Sequence, residues 1–481
     1  MGLKIAVVSI YALLIITIGF LGMRKTRSFA DFFLGGGAIG PWMSAFTYGT
    51  AYFSAVLFIG FAGKIGWSFG YSGLWIAVGN TFIGVLAVWW LLGHRIKQMS
   101  IEYNVTTMSE YLEKRYESPF LKLFSALSVF IFFIPYSAAV FIGLSYLFQS
   151  NFQIDFTYAL VFMGVFTAVY LVLGGYKSMT MVDVFFGIIM TVGVVILLIF
   201  TIRSGGGLSN LTNRLAAIDP RLTGPVGPPG IWPLFCLVTL TSLAPMGMPQ
   251  LVQKFYAIKD RRAIRTGMVA STFFSLLVCG TAYFTGATTR ILLSPETTPA
   301  AFANGKPVVD ALMPVLLSSV IPESLSVLIL LLILSASMST LAALILISSS
   351  SIAKDIYAGF INPSISDANL TRLMRFLSAF FILLSVIFAY FRFDTIVTIL
   401  GISWGAIGSV FLGPFIWGLF WRRASRIGAI ASSVLGLATC MIMYLNGHSS
   451  PEAGTIGMFV SLAVNPLVSL IFPDRTGVKE A

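Results

Sequence analysis

Long apolar segments separated by short polar stretches occur along almost the whole chain. A transmembrane helix needs about 20 mostly apolar residues, and segments of about this length recur from the start of the chain to its end. The pattern therefore predicts an all-α polytopic membrane protein with thirteen transmembrane helices. The predicted spans lie at 3–22, 40–62, 70–93, 121–148, 157–174, 180–201, 231–249, 267–289, 324–350, 373–391, 395–420, 427–446 and 454–472.

The composition of the chain supports this reading. Of its 481 residues, 57% are hydrophobic and only 10% are charged, whereas a soluble domain has about 25% charged residues. This excludes a soluble enzyme and a disordered protein, and no nucleic-acid partner is expected. No GxxxxGK[ST] phosphate-binding loop occurs in the sequence, so ATP is not expected to drive this chain. The lipid bilayer is the first predicted partner.

The basic residues are distributed unevenly between the two sides of the predicted membrane. If the N-terminus lies outside, 22 of the 30 Lys and Arg residues fall on the inner side, as the positive-inside rule requires. This predicts a multi-pass protein of the cell membrane, with its N-terminus outside and its C-terminus in the cytoplasm. The inner residues include Arg24, Lys25, Arg27, Lys177, Lys254, Arg475 and Lys479.

Two of the predicted spans are interrupted near their centres. The second span holds small and hydroxylated residues between Phe46 and Ser54, and the seventh holds Pro245, Gly247 and Pro249. Gly and Pro are common in membrane helices, but irregular backbone at membrane depth normally lines a cavity. The two spans also begin successive groups of five, and such groups enter the membrane from opposite sides. An inverted repeat of this kind is typical of secondary transporters.

This organisation divides the chain into five parts. A long outer segment at 290–323 belongs to the second repeat and is either a lid over the outer mouth or a plain connector. The parts are a first flanking helix with a cytoplasmic loop at 1–39, a first five-helix repeat at 40–202, an outer loop at 203–230, a second five-helix repeat at 231–420, and two flanking C-terminal helices with a short tail at 421–481.

Few polar groups inside the predicted spans can carry chemistry. Asp183 either meets water near the cytoplasmic interface or is a carboxylate for cation exit or gating. Ser339 and Thr340 are adjacent hydroxyls in the ninth span. They either bond back to their own helix or face the broken second span, where neutral hydroxyls and freed carbonyls could replace the water around Na⁺. Lys64, at an outer helix end, either snorkels or attracts a solute.

Several motifs together resemble the sodium/solute symporter family, from Phe32 to about residue 430. This family includes symporters for proline, pantothenate, monocarboxylates, sialic acid and glucose. The motifs are Phe32-Phe33-Leu34-Gly35-Gly36, Gly40-Pro41, Tyr170 with Gly174-Gly175, Pro249-Gln250-Leu251-Val252-Gln253-Lys254-Phe255, and Met338-Ser339-Thr340-Leu341.

The resemblance implies a LeuT-like fold of two inverted five-helix repeats with flanking helices, and a sodium site between the second and ninth spans. Its expected Na⁺ ligands are the carbonyls of Thr50, Phe53 and Ala336 and the hydroxyls of Ser339 and Thr340. Asp183 matches the acidic residue that the family uses in sodium coupling and inward release.

The solute pocket is harder to infer than the sodium site. Proline symporters carry an aspartate where this chain has Tyr52, which argues against strict proline transport. Ala342 and Ala343 stand where sialic acid transporters have second-site hydroxyls, so a single sodium site is expected. The residues expected to form the pocket walls are Tyr48, Tyr52, Ser54, Tyr136, Ser137, Met246 and Trp404.

These observations predict a secondary transporter rather than an enzyme. It would couple Na⁺ to a small organic solute, a monocarboxylate or a small amino acid such as proline, by alternating access and without a cofactor. The alternatives are a proton-coupled transporter on the same fold, with Asp183 as the proton carrier, and a membrane sensor or channel. The sequence does not identify the solute or the oligomeric state.

Overall fold

The computed structural model describes residues 2–25, 28–35 and 39–474 of the chain. Nearly all of these residues are helical. Some positions named above lie outside the described residues or have side chains that are not described. They are Arg24, Lys25, Arg27, Gly36, Tyr170, Gly174, Lys177, Arg475 and Lys479.

The first half of the chain forms helices that alternate between long spans and short surface segments. Its helices are α1 (Gly2–Lys25), α2 (Phe29–Leu34), α3 (Pro41–Tyr52), α4 (Ala62–Phe69), α5 (Leu74–Gly79), α6 (His94–Glu102), α7 (Met108–Tyr116), α8 (Pro119–Phe152), α9 (Phe156–Ser204) and α10 (Leu208–Ile218). Between them lie π-helical turns at Val56–Phe61 and Asn80–Gly93 and 3₁₀ turns at Gly70–Gly73 and Pro220–Leu222.

The second half has the same character. Its helices are α11 (Ile231–Leu243), α12 (Pro249–Ala257), α13 (Arg261–Leu292), α14 (Val309–Val320), α15 (Glu323–Ser350), α16 (Asp367–Phe391), α17 (Ile396–Phe420), α18 (Arg426–Leu445) and α19 (Ser450–Ile471). The remaining segments are 3₁₀ turns at Ala244–Gly247 and Pro299–Ala301, a π-helical end at Ser351–Ile361, and a hairpin of β1 (Phe302–Ala303) and β2 (Lys306–Pro307).

Ten helices in the described residues are long and apolar enough to cross a membrane. An eleventh span arises if α11 and α12, which meet at a bend of 42°, are taken as one broken helix. The number of crossings predicted from the sequence was thirteen, and this count of helices does not confirm it. The two numbers differ because some predicted spans are joined by continuous helix and count as one, as in the helical stretch Val56–Glu102.

The break predicted in the second span is present. Helix α3 begins with Pro41 at its first turn and ends at Tyr52, because Phe53 takes extended angles (φ −109°, ψ 122°). Helical structure resumes at Ala55, whose backbone N–H donates to the Ser337 hydroxyl of α15 at 2.9 Å. The part of the broken span after the break therefore donates its first backbone N–H to a helix of the second half of the chain.

The fifth and sixth predicted spans form one helix, α9, which is kinked at Gly175. Gly175 has φ 63°, a left-handed conformation in which L-residues are strained. A Cβ atom at this position would lie 2.6 Å from the ring of Phe32. The turn between the two predicted spans is thus a single glycine, which α2 approaches closely.

Helices α4 and α13 cross at two glycines. A Cβ atom on Gly66 would lie 2.0 Å from the carbonyl carbon of Gly286, and one on Gly286 would lie 2.0 Å from the carbonyl oxygen of Ala62. Small residues allow membrane helices to approach this closely. This crossing fixes the outer half of the broken span against α13.

The two long outer segments contain helices of their own. The loop expected at 203–230 holds α10, and the segment 290–323 holds the β1–β2 hairpin and α14. Helix α14 packs against α4 and against the π-helical turn that begins at Val56. It therefore covers the part of the broken span that follows the break.

Candidate functional site

The break in α3 and the middle of α15 bring several predicted sodium ligands together. Ser339 donates a hydrogen bond to the Thr50 hydroxyl at 2.9 Å. The Thr340 hydroxyl lies 3.4 Å from the carbonyl oxygen of Thr50 and 3.1 Å from those of Ala51 and Ala336. All of these residues are buried. Hydroxyl and carbonyl oxygens thus converge at one point between the two helices.

These carbonyls face the site because α3 ends there. The last backbone bond of α3 runs from the Phe53 N–H to the Gly49 carbonyl, so the carbonyls that follow have no partner one turn further on. The Thr50 and Ala51 carbonyls meet the hydroxyl of Thr340 instead. Ala51 was missed in the sequence because a carbonyl ligand leaves no signal in its side chain. The structure records no contact for the Phe53 carbonyl, whose role stays a prediction.

Asp183 lies beside this group and not at a watery interface. Its side chain is fully buried, which contradicts the reading in which it meets cytoplasmic water. The hydroxyls of Thr47, Thr50 and Ser339 surround its carboxylate, but neither carboxylate oxygen receives a hydrogen bond of normal geometry from the described residues. A buried carboxylate with unused acceptor capacity suits a cation.

A small cavity of about 30 Å³ lies on the other side of the break. Four of the predicted wall residues line it, with aromatic rings on several sides. Tyr52 stacks on Trp404 with ring centroids 5.9 Å apart, and its hydroxyl donates to the Thr241 carbonyl at 2.6 Å. No charged side chain of the described residues lines this cavity. Its lining is Tyr52, Phe53, Ser54, Val56, Leu57, Phe61, Asn80, Tyr136, Thr241, Tyr283, Leu400 and Trp404.

Three predicted wall residues do not line the cavity. Tyr48 packs on Trp89 and donates to the Gly84 carbonyl at 3.0 Å. Ser137 is buried, and its hydroxyl has no hydrogen-bond partner among the described residues, while Met246 lies in the 3₁₀ turn after α11. Tyr48 lies one turn before Tyr52 on the same face of α3, but its ring packs between Trp89 and Phe255 and so does not reach the cavity.

A second charged group lies at the outer end of the broken span. Asp310, in the first turn of α14, accepts a hydrogen bond from the Ile396 N–H at 3.2 Å. Lys64 and Asp394 face the same carboxylate, and Lys64 donates to the Thr395 hydroxyl at 3.1 Å. These contacts join the α14 lid region to α4 and to the start of α17.

We expect this contact to make stability depend on pH. Burial raises the pKa of Asp310 to about 6, although the Ile396 amide and Lys64 oppose the rise. A carboxyl whose pKa is raised on folding favours the fold when protonated, so this stabilisation is complete below about pH 4 and is lost as the pH rises through 6. Between pH 4 and pH 7, the free energy of unfolding of wild type should fall by about 2 kcal/mol more than that of Asp310→Asn, as measured by thermal unfolding. The exposed-residue control Glu102→Gln should follow wild type, and an identical pH profile for Asp310→Asn would contradict the expectation.

A network of charged side chains joins α7 to the π-helical segment Ser351–Ile361, which follows α15. Lys354 pairs with Glu110 at 3.0 Å, and Lys122 pairs with Glu113 at 2.7 Å. The Thr107 hydroxyl donates to the buried carboxyl of Asp355 at 2.7 Å. The segment that carries Ser339 and Thr340 is therefore anchored at its C-terminal end by α7 and α8.

Comparisons with known proteins agree with this geometry. The sequence model of a family described as "Sodium:solute symporter family" matches residues 32–436. The sodium/pantothenate symporter of Escherichia coli (strain K12) is 29% identical over 462 residues, covering 91% of this chain and 91% of its own length. The osmoregulated proline transporter OpuE of Bacillus subtilis (strain 168) is 26% identical over 485 residues, covering 96% and 93%.

Solved structures share the fold. A Na⁺-coupled sialic acid symporter in a substrate-bound, outward-open state superposes with a TM-score of 0.84 at 17% sequence identity, covering 99% of both chains. Mhp1, a nucleobase-cation-symport-1 family transporter in a closed conformation, superposes with a TM-score of 0.53 at 13% identity, covering 93% of this chain and 95% of its own. The resemblance noted in the sequence is therefore confirmed, and the fold is that of LeuT-like transporters.

Proposed function

Because the chain belongs to the sodium:solute symporter family, we propose that it carries a small organic solute across the cell membrane together with Na⁺, by alternating access. One observation carries the proposal: at a buried point, the Thr340 hydroxyl of α15 meets the freed carbonyls of Thr50 and Ala51 in the broken α3, and the Ser339 hydroxyl meets that of Thr50. Oxygen ligands without a fixed negative charge can hold Na⁺ and still release it. The ion would join α3 to α15 and thereby complete the adjoining cavity.

The proposed topology has thirteen crossings, of which ten form two inverted five-helix repeats and three flank them. Val56–Glu102 has 47 residues, which would extend about 70 Å as a helix, too long for one crossing of a core about 30 Å thick. The turn at Gly70, with φ 60°, divides it. Phe156–Val169, before the kink in α9, supplies the other additional crossing. We assign the repeats to 40–202 and 231–420, with the N-terminus outside and the C-terminus in the cytoplasm.

The cavity favours a solute whose polar groups can be bound by neutral side chains. Its polar side chains are neutral, and its aromatic rings can pack against apolar parts of a solute. Among the relatives, one is named for pantothenate and another for proline. We propose a small carboxylic acid or amino acid, and we include pantothenate with the monocarboxylates and proline as candidates.

Uptake into proteoliposomes tests the proposed coupling. Purified protein would be reconstituted and offered radiolabelled proline, pantothenate and short monocarboxylates, with an inward Na⁺ gradient or with a proton gradient in Na⁺-free buffer. We expect one of these solutes to accumulate, and to do so only when the Na⁺ gradient is present. Full uptake in Na⁺-free buffer under a proton gradient would overturn sodium coupling and favour the proton-coupled alternative. Counterflow of the same solute would distinguish a carrier from a channel.

The indole of Trp404 provides a test of the pocket. Its Nε1 is buried and has no hydrogen bond of normal geometry to the described residues, while its ring lies in the cavity wall. If Nε1 donates to the solute, Trp404→Phe should raise the solute KM about tenfold at saturating Na⁺. The matched control is Trp417→Phe on the same helix, because Trp417 donates to the Leu462 carbonyl instead. Equal KM values for the two variants would exclude Trp404 from the pocket.

A further inference from the structure

Lys254 is a buried cation that the proposed transport cycle does not yet use. By its sequence position it was counted among the inner-loop charges, but the structure places it in α12, with only 1% of its surface exposed. Its ammonium nitrogen has no hydrogen-bond partner among the described residues. Ionisable groups at such depth are costly and are normally paired. Lys254 therefore lies in a buried helix that follows the 42° bend, and not in a solvated loop.

The surroundings of Lys254 identify its electrostatic partner. The ammonium lies over the ring of Tyr176, 4.9 Å from its centroid, and Asp183 is the carboxylate that acts on it electrostatically. Tyr176 and Asp183 are seven residues apart on α9, two helical turns along one face. Lys254 and Asp183 make no hydrogen bond to each other, so both keep unused bonding capacity.

When Na⁺ is bound, three charged groups share one buried region: the ion, the carboxylate of Asp183 and the ammonium of Lys254. Asp183 borders the predicted sodium ligands Thr50 and Ser339, so the ion and Lys254 both act on the same carboxylate. Without the ion, Asp183 and Lys254 together are neutral. A buried carboxylate left alone would be strongly destabilising, and Lys254 removes that cost when Na⁺ leaves towards the cytoplasm.

We propose that Lys254 is a tethered cation that competes with Na⁺ for Asp183 and thereby promotes release of the ion inward. This inference rests on the proposed sodium site. It assigns Lys254 a positioning role, because it acts on the ion through Asp183 and does not itself contact the solute. The charge of Lys254 should lower the affinity for Na⁺ and raise the rate at which the ion departs.

The first test measures Na⁺ binding by thermal shift of the detergent-solubilised full chain, titrated with NaCl against choline chloride. Lys254→Met removes the charge and keeps much of the length of the side chain, and we expect its apparent Na⁺ affinity to rise about tenfold. Lys254→Arg keeps the charge and should stay within about twofold of wild type. The control is Lys259→Met, an exposed lysine just beyond α12. Unchanged or weakened Na⁺ affinity in Lys254→Met would overturn the proposal.

A second readout separates the pairing from the proposed transport function. In Na⁺-free buffer, Asp183→Asn and Lys254→Met should each lower the melting temperature, and the double variant should recover at least half of the summed loss, because no buried charge then remains alone. Additive losses would overturn the pairing, even if the single variants express poorly. Wild type that shows no Na⁺-dependent shift would contradict the proposed sodium site, while the double-variant comparison would still decide the pairing.

Discussion

Replacing Ser339 and Thr340 together by alanine is expected to abolish Na⁺-dependent uptake. The change removes both hydroxyls that meet the end of α3. It leaves the carbonyls of Thr50 and Ala51 without the oxygens that would complete a shell around the ion. A hydrogen bond or ligand contact to a charged group contributes about 1.5–3 kcal/mol. Two such losses should weaken the apparent affinity for Na⁺ at least about 100-fold.

Uptake at increasing Na⁺ concentration measures this effect directly. The matched control is Ser350→Ala with Ser351→Ala, an adjacent hydroxyl pair at the junction of α15 and its π-helical end. Those hydroxyls donate only to the carbonyls of Ile347 and Ser348 in the same segment, so the control should keep the Na⁺ dependence of wild type. If the Ser339 and Thr340 variant kept that dependence too, the ion would have to bind elsewhere.

The second large effect is expected at the glycine crossing of α4 and α13. Gly286→Ala places a methyl group where the backbone oxygen of Ala62 lies only 2.0 Å away. Backbone cannot move aside as a flexible side chain can, so the helices must separate. We expect a loss of about 3 kcal/mol in the free energy of unfolding, together with a low yield of monodisperse protein.

Gly280 provides the control for this substitution within the same helix. No atom lies within 4 Å of a Cβ built on Gly280, and alanine has the higher helix propensity. Gly280→Ala should therefore unfold at the wild-type temperature or slightly above it in a detergent thermal melt. Similar melting temperatures for Gly286→Ala and Gly280→Ala would show that the two helices are free to shift.

The broken helices could be predicted because they depend on local chemistry. Pro245, Gly247 and Pro249 interrupt a helix wherever they occur, and the bend of 42° lies where they predicted it. Ser339 and Thr340 could be placed opposite α3 only through the resemblance to a known family. Hydroxyls in a helix otherwise bond to their own backbone just as readily, as Ser350 does.

Features that depend on distant packing could not be predicted in this way. Tyr48 and Tyr52 look equivalent in the sequence, yet only Tyr52 reaches the cavity. Lys254 looks like a solvated loop charge, because nothing near it in the sequence shows that α12 packs against α3 and α15. In each case the position of the side chain is set by helices far away in the chain, which a local pattern does not record.

The hydrogen bond from the Ala55 N–H to Ser337 has a consequence for how the protein is made. The two residues are 282 positions apart, and Thr340 meets Ala51 across 289 positions. While the ribosome is still synthesising the first half of the chain, the break in α3 has no partner for these backbone groups. Exposed backbone groups are costly in lipid, so the unfinished span must be sheltered by water, by the insertion machinery or by neighbouring helices until α15 enters the membrane. The proposed ion site would thus be completed late in biogenesis, and a chain truncated before α15 should be a substrate for quality-control proteolysis.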